Sequence, residues 1–341
     1  MQSIFRLFPS LLLPLATLLA MSVSATADEP PEEPPAHWGP LSSTLEEIEY
    51  PHPVSYMDVR LFGKDGRLAY MDVPPSGPDN GRTVMLFHGM NFAGIGFAPT
   101  IEELSAAGFR TIAVDRIGYG RSSKLDIPYN LNMFAANARD LMDHVGVDEV
   151  AVVGHSMGGM VASRFAMTYA DVTSHVVFVN QIGMGDQRQS RGWRDHEEVY
   201  QSALNANYQS ILRNHMLYYN EGWKPEYLDF VYYQYGQTLG SEWPKLARIR
   251  AWQQMILYFD PVLYDWQHID TKALVLGGEL DRLTPNFADQ ARNVAETLQN
   301  AELRLYPGIG HNPHFEYPEQ YHADLIEFLR SDPEEPARSD W

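Results

Sequence analysis

Three side chains of the kinds that carry out nucleophilic catalysis follow one another along the chain, each after a short apolar run. Ser156 lies in the middle of residues 154–158, which read Gly-His-Ser-Met-Gly, and Asp281 and His311 follow in that order. A serine hydroxyl is a weak nucleophile at neutral pH. It needs a histidine base, and the base needs a carboxylate that fixes its tautomer and stabilises the imidazolium. These residue types therefore predict attack by a serine on an acyl carbon.

The residues around Ser156 predict a sharp turn between a strand and a helix. Residues 149–153 form a short, β-branched apolar run, which is typical of a strand buried on both faces. The strand breaks at Gly154, and Gly158 and Gly159 leave room where strand and helix meet. Such a turn exposes the serine hydroxyl, and the N-terminus of the helix favours negative charge beside it. Taken alone, the motif could also be a glycine-rich turn that arose by chance.

Strands and helices alternate over most of the chain, which predicts a mostly parallel, doubly wound sheet. The predicted strands cover residues 83–87, 110–114, 149–153, 175–179, 272–277 and 302–306, and the predicted helices cover 98–107, 131–145, 286–298 and 321–329. Residues 55–62 and 67–73 predict an antiparallel hairpin at the sheet edge, with its turn at residues 63–66. Ligands bind beyond the carboxyl ends of parallel strands. The loops expected at that edge are residues 88–94, 115–122 and 155–158.

The segment from residue 184 to residue 267 interrupts this alternation. It is helical in pattern, polar and rich in tryptophan, tyrosine and phenylalanine, and strand patterning resumes at Lys272. We interpret the segment as a helical lid inserted into the sheet domain. Most of its aromatic side chains are expected to pack within the lid and against the sheet, and a minority to line a pocket above Ser156.

Five segments of the sequence together resemble those of α/β-hydrolases with a lid, over roughly residues 56–329. The segments are residues 88–91, 115–123, 154–159, 276–281 and 310–314. The resemblance implies an α/β-hydrolase fold with an eight-stranded, mostly parallel sheet and an inserted helical lid. It also implies that Ser156 is the nucleophile, Asp281 the orienting acid and His311 the base. The backbone N–H groups of Met90 and Met157 would form the oxyanion hole, and the resemblance implies no cofactor and no metal.

Other carboxylates remain open as alternatives for the orienting acid. Glu279 flanks Asp281 and is its nearest rival. Asp186 is a weaker candidate, because some members of the family that the sequence resembles place the acid after the earlier strand. Asp115 is expected to stabilise its own turn.

The chain contains twelve histidines, most of which are expected to be surface or packing residues. His88 follows a strand and is expected to shape the oxyanion loop. His155 occupies the variable position of the Gly-x-Ser-x-Gly motif and is expected to pack. His314 and Glu316 lie near His311 in the sequence, but a metal site needs further placed ligands, and none is evident.

Composition excludes several classes of function. The 341 residues carry 25 basic and 44 acidic side chains, so the net charge of -19 disfavours nucleic acid or an anionic membrane surface as a partner. Cysteine is absent, which excludes disulfides, thiolate catalysis and cysteine-ligated zinc. The expected partner is a small-molecule ester or a related acyl compound, and the sequence leaves the oligomeric state open.

The N-terminal residues predict a secretory signal peptide. Residues 7–23 are apolar and interrupted by prolines, and the small residues at 25–27 fit a cleavage site after Ala27. An uncleaved N-terminal anchor is the alternative. The predicted organisation is a signal peptide at 1–27, a disordered linker at 28–43, a sheet domain at 44–183 and 268–331, a helical lid at 184–267 and a flexible tail at 332–341. We expect a periplasmic or secreted protein without membrane insertion after the signal is removed.

The activity expected is hydrolysis of small to medium carboxylic esters. Ser156 occupies the position where haloalkane dehalogenases and epoxide hydrolases of this fold have aspartate, and residues 88–91 lack the glycine run of the HGGG-type lipases and esterases. Cleavage of another acyl bond, in a ketone, a lactone or an N-terminal proline peptide, remains open with the same triad. A cofactor-free perhydrolase and a binding protein without catalytic activity are further alternatives.

Overall fold

The computed structural model describes residues 29–333, so the predicted signal peptide and most of the predicted tail lie outside the described residues. An eight-stranded sheet has the order β1-β2-β4-β3-β5-β6-β7-β8. Strands β1 and β2 pair antiparallel, β2 pairs antiparallel with β4, and all the other pairings are parallel. The predicted fold class is therefore confirmed. The strands are β1 (Val54–Leu61), β2 (Lys64–Val73), β3 (Thr83–Phe87), β4 (Arg110–Asp115), β5 (Val150–His155), β6 (Thr173–Val179), β7 (Lys272–Gly278) and β8 (Ala301–Tyr306).

Helices cover both faces of the sheet, as a doubly wound fold requires. Along β5, Val150 and Val152 belong to a core shared with α2, α3 and α9, whereas Ala151 and Val153 belong to a core shared with α1 and α11. Since side chains alternate along a strand, the continuous apolar run buries both faces. The helices are α1 (Ala98–Ala106), α2 (Leu131–Val145), α3 (Met157–Thr168), α4 (Gln187–Ser190), α5 (His196–Leu204), α6 (Tyr208–His215), α7 (Leu228–Thr238), α8 (Trp243–Phe259), α9 (Phe287–Thr297), α10 (Pro313–Glu316) and α11 (Pro318–Arg330).

Helices α4 to α8 and the segments that join them lie in the chain between β6 and β7, and we call this whole group the lid. Its aromatic side chains pack mainly on one another. For example, the rings of Tyr219 and Tyr227 stack with their centroids 3.5 Å apart. Within residues 29–333, no helix combines the length and the apolar composition needed to cross a bilayer.

The hairpin between β1 and β2 turns earlier than the sequence predicts. Its loop consists of Phe62 and Gly63, with φ values of 50° and 78°, and β2 already begins at Lys64. Two-residue hairpin loops require this left-handed backbone, because it matches the twist of the flanking strands. The predicted turn at residues 63–66 is therefore wrong. Lys64, Asp65 and Gly66 have turn-like composition, but they pair with the end of β1.

The segment at residues 29–43 also differs from the predicted disordered linker, because it packs against the lid. The ring of Trp38 stacks on Tyr232 with the centroids 4.6 Å apart. Leu41 is buried, and its N–H group donates to the carbonyl oxygen of Gly236 at 2.9 Å. The proline- and glutamate-rich composition predicts disorder, whereas these contacts place two apolar side chains of the segment against α7.

Candidate active site

Ser156 occupies a turn that forces its backbone into an uncommon conformation. It lies between the end of β5 and the start of α3, with φ 55° and ψ -120°. A non-glycine residue at such a positive φ is strained, and strain of this kind concentrates at functional sites. The surrounding backbone holds the turn, since the Ser156 N–H group donates to the carbonyl oxygen of Val179 at 2.9 Å and its own carbonyl oxygen accepts from Gly159 at 3.0 Å.

The glycines of the motif allow strand, turn and helix to approach one another closely. A Cβ atom on Gly154 would lie 2.2 Å from the carbonyl oxygen of Gly158, and one on Gly158 would lie 1.9 Å from that of Phe87. A Cβ atom on Gly159 would lie 2.4 Å from the side chain of Gln181. The prediction that glycines make room at this junction is therefore confirmed.

Substitution of Gly158 by alanine should lower the free energy of unfolding by about 3 kcal/mol or more, because backbone of β3 must move to admit the methyl group. The matched control is Gly192→Ala, since an added Cβ there meets no atom within 4 Å. Urea unfolding of both variants measures the effect. Equal stability of the two variants would show that the junction is less tightly packed than the contacts indicate.

Asp281 and His311 form a buried ion-pair geometry. The Oδ2 atom of Asp281 lies 2.7 Å from Nδ1 of His311 and also accepts a hydrogen bond from the amide of Asn180 at 3.1 Å. Its Oδ1 atom accepts from the backbone N–H groups of Leu283 and Thr284 at 2.8 and 3.1 Å. Burial alone would raise the pKa of Asp281, but the charge and hydrogen bond of His311, with the other donors, lower it below its ordinary value. The carboxylate therefore stays ionised beside the ring.

The rival carboxylates lie in other surroundings. Asp186 caps α4, where it accepts hydrogen bonds from Arg188 and from the hydroxyl of Tyr264. Glu279 follows β7, and its backbone N–H group donates to the carbonyl oxygen of Tyr306. Within the described part of the chain, Asp281 is the carboxylate that contacts the imidazole of His311.

The other ring nitrogen of His311 is available for chemistry. Its Nε2 atom is buried and has no hydrogen-bond partner among residues 29–333. The backbone N–H group of His311 donates to the carbonyl oxygen of Tyr218 at 2.8 Å, and the two rings stack with centroids 5.4 Å apart. Tyr218 and Ser156 line the same cavity, whose volume is about 410 Å³. Hydrogen bonds between a base and its nucleophile are often long in a free enzyme and shorten when substrate binds.

The loop after β3 is anchored by a buried arginine. One guanidinium nitrogen of Arg116 donates to the carbonyl oxygens of His88 and Gly89 at 2.8 and 3.3 Å. The backbone N–H group of Arg116 donates to Nε2 of His88. The ring proton of His88 is therefore on Nδ1, which donates to the carbonyl oxygen of Gly89 at 2.7 Å. Burial and the charge of Arg116 lower the pKa of His88, which favours this neutral form. His88 therefore shapes the loop, as the sequence predicts.

This anchoring leaves two backbone donors near Ser156. The N–H group of Met90 has no acceptor among the described residues, and Met157 is the first residue of α3, where N–H groups lack intrahelical acceptors. Gly89 adjoins the serine so closely that a Cβ atom on it would lie 3.1 Å from Cβ of Ser156. Both donors thus belong to segments that contact the serine.

Asp115 has a wider role than the predicted stabilisation of its own turn. Its Oδ1 atom accepts from the N–H group of Gly94 at 2.6 Å. Its Oδ2 atom accepts from the N–H group of Arg121 and from the hydroxyl of Tyr50, both at 2.7 Å. This carboxylate therefore joins its own turn to the loop after β3 and to the N-terminal segment.

The remaining histidines near the site pack against one another. The ring of His155 lies 4.9 Å from that of His311 and 4.8 Å from that of His314, measured between centroids. Glu316 accepts hydrogen bonds from the backbone N–H group of Gly310 and, in the lid, from those of Asn220 and Glu221. Within residues 29–333, no group of three or more histidine or acidic side chains has the arrangement of a metal site.

Sequence reasoning missed several residues that support the site. Asn180 follows β6 directly, and Arg116 follows the last residue of β4, so their positions after strands were a usable signal. No sequence signal of this kind marks Tyr218, because it lies among many lid aromatics without a distinguishing motif. Its hydroxyl accepts hydrogen bonds from the amides of Asn91 and Asn214 at 2.6 and 3.0 Å, which links the lid to the oxyanion loop.

A serine on a strained turn, a buried carboxylate–histidine pair and a lid over a doubly wound sheet are the features of one large family. The sequence model of the alpha/beta hydrolase family matches residues 84–324. The chain belongs to the alpha/beta hydrolase family, as its motifs predict.

Individual relatives support hydrolase activity. The chain is similar to a probable hydrolytic enzyme from Pseudomonas aeruginosa PAO1 of known crystal structure, with 32% identity, a TM-score of 0.83, and coverage of 86% of this chain and 99% of that one. It is 24% identical to a non-heme haloperoxidase from Rhodococcus erythropolis, over 74% of this chain and 93% of the relative. It is 22% identical to a bifunctional esterase/perhydrolase from Acinetobacter calcoaceticus, over 75% and 94%.

Proposed function

We propose that this alpha/beta hydrolase is a serine esterase that cleaves small to medium carboxylic esters through an acyl-enzyme intermediate. The observation that carries the proposal is the buried pair of Asp281 and His311. The Nε2 atom of His311 has no partner among the described residues, and its ring stacks on Tyr218, which lines the same cavity as Ser156. The signal peptide predicted from the sequence leads us to include export to the periplasm or the medium in the proposal.

The residues support a two-step acyl transfer. Ser156 Oγ attacks the ester carbonyl carbon while Nε2 of His311 takes the hydroxyl proton, and Asp281 stabilises the imidazolium that forms. The C–O bond to the alcohol then breaks, and His311 returns the proton to the departing oxygen. Water repeats the sequence on the acyl-enzyme. It adds to the carbonyl with loss of a proton to His311. The bond between the acyl carbon and Ser156 Oγ then breaks, His311 returns the proton to Oγ, and the acid leaves the site.

We assign the stabilisation of the negative charge on the carbonyl oxygen to hydrogen bonds from the backbone N–H groups of Met90 and Met157. Backbone donors are fixed before the reaction and need no reorganisation during it, and loss of one typically costs about 10²–10³-fold in rate. The carbonyl oxygen of Gly89, which Arg116 binds, belongs to the same planar peptide group as the N–H of Met90, so this contact fixes the donor. The positive end of α3 acts on the same oxygen.

The cavity predicts which esters react well. Its volume is about 410 Å³, which suits a small or medium acyl chain, and its lining combines apolar and uncharged polar side chains with the exposed Arg191. A series of p-nitrophenyl esters from acetate to long chains should therefore show a maximum of kcat/KM at short or medium length. Initial rates of release of p-nitrophenol by the mature protein measure this.

The same assay separates the alternatives. A flat response across the series, or turnover that does not depend on Ser156, would contradict the proposal. Fluorophosphonate labelling of Ser156 without ester turnover would instead favour a C–C, lactone or peptide bond. A perhydrolase activity deserves a parallel assay with peroxide, because a haloperoxidase and an esterase/perhydrolase are among the relatives.

A further inference from the structure

The cavity beside Ser156 shares part of its lining with a second cavity under the lid. The second cavity has a volume of about 390 Å³ and shares Met90, Asn91 and Asn214 with the first. Its lining is mainly uncharged and polar, and among the described residues that form it, Arg250 of α8 is the charged one. The shared lining therefore brings this arginine to a cavity that adjoins the one beside Ser156.

Arg250 lacks the carboxylate partner that a partly buried arginine ordinarily has. One guanidinium nitrogen, Nη2, donates to the side-chain oxygens of Asn91 and Gln234 at 2.7 and 3.0 Å. No carboxylate within residues 29–333 lies within 4.0 Å of the guanidinium, and its Nε and Nη1 atoms have no acceptor among those residues. Burial lowers the pKa of Arg250, which shows that the charge lies in an unfavourable setting without an anion.

The two cavities differ from the rest of this acidic chain in their lining. It carries 44 acidic residues and a net charge of -19, yet the described residues that line the two cavities include no aspartate or glutamate. Protein-wide negative charge would repel an anionic substrate, whereas this lining offers it a local cation. A guanidinium nitrogen that is not engaged within the protein can donate a charge-assisted hydrogen bond to a carboxylate.

We propose that Arg250 binds a carboxylate of the substrate, so that the preferred substrates are esters that carry a free carboxylate on their acyl chain. The inference rests on the proposed esterase function, because it assigns the substrate class of the same site. Nη2 keeps Asn91 and Gln234 in place, while Nη1, which has no acceptor among residues 29–333, donates to the carboxylate. The cation then selects the substrate and does not take part in bond cleavage.

The test compares half-esters of dicarboxylic acids, from p-nitrophenyl succinate to p-nitrophenyl adipate, with neutral p-nitrophenyl esters of matched chain length. The wild-type protein should prefer one or more of the anionic esters in kcat/KM. Arg250→Gln should lower kcat/KM for the anionic esters by roughly 10- to 100-fold more than kcat/KM for the neutral esters, which report any effect through Asn91. Lys245→Gln, which removes an exposed positive charge from the same helix, should change neither.

Binding provides a readout that does not depend on turnover. Isothermal titration of Ser156→Ala with glutarate should show binding that the double variant with Arg250→Gln loses. Equal losses of kcat/KM for charged and neutral esters, or loss of the preference in Arg191→Gln instead, would overturn the role of Arg250. Glutarate binding without serine-dependent ester hydrolysis would overturn the esterase function alone, whereas ester hydrolysis without glutarate binding would overturn the carboxylate site alone.

Discussion

Replacement of Ser156 by alanine is expected to lower ester turnover by roughly 10⁴- to 10⁶-fold, because no acyl-enzyme can form without the hydroxyl. The protein should fold as before. The Oγ atom has no hydrogen-bond partner among residues 29–333. The strained backbone of Ser156 is held by its main-chain hydrogen bonds with Val179 and Gly159, which the substitution leaves in place. Turnover of p-nitrophenyl esters and labelling by a fluorophosphonate probe measure the loss, and thermal unfolding checks the fold.

The control for this prediction is Ser163→Ala on the same helix. The hydroxyl of Ser163 is buried and bonds to the carbonyl oxygen of Gly159 and the indole of Trp266, so its loss should affect stability and leave the labelling of Ser156 intact. Labelling that survives in Ser156→Ala would move the nucleophile to another residue. A stability loss in Ser156→Ala as large as that of Ser163→Ala would mean that the serine has a structural role.

The nucleophile turn and the sheet could be predicted from the sequence because each follows from local rules. The run at residues 149–153 needs burial on both faces, and the glycines at 154, 158 and 159 fit positions where a Cβ atom would collide with neighbouring atoms. Likewise, Asn130 accepts the N–H group of Met133 to start α2, and Gly146 ends that helix with a φ of 68°. Patterns of this kind are set within a few residues of the chain.

The contacts of the lid could not be predicted in this way. Tyr218 stacks on His311 and Arg250 binds Asn91, but the partners are 93 and 159 residues apart and belong to different layers of the fold. Neither residue lies in a motif, and many similar aromatic and basic side chains surround them in the sequence. Their roles follow from the way the lid packs on the sheet, which the local pattern does not specify. The same holds for Trp38 and Leu41, whose burial depends on α7.

Replacement of Asp281 by asparagine should lower kcat by about 10³- to 10⁴-fold, through the tautomer of His311. Oδ1 accepts the N–H groups of Leu283 and Thr284, so the amide oxygen of an asparagine would take that side. Its NH₂ group would then face Nδ1 of His311 and the amide of Asn180. Nδ1 would have to accept, the ring proton would move to Nε2, and that nitrogen could no longer take the serine proton.

The variants Glu279→Gln and Asp186→Asn are the matched controls, because they neutralise the two carboxylates that the sequence left open as orienting acids. Both should keep their kcat on p-nitrophenyl esters within a factor of about three, since neither side chain contacts His311. Proton NMR of the imidazole N–H groups in Asp281→Asn should show the proton on Nε2. If Glu279→Gln instead lost as much activity as Asp281→Asn, the charge near the base, and not the hydrogen bond from Nδ1, would be what the reaction requires.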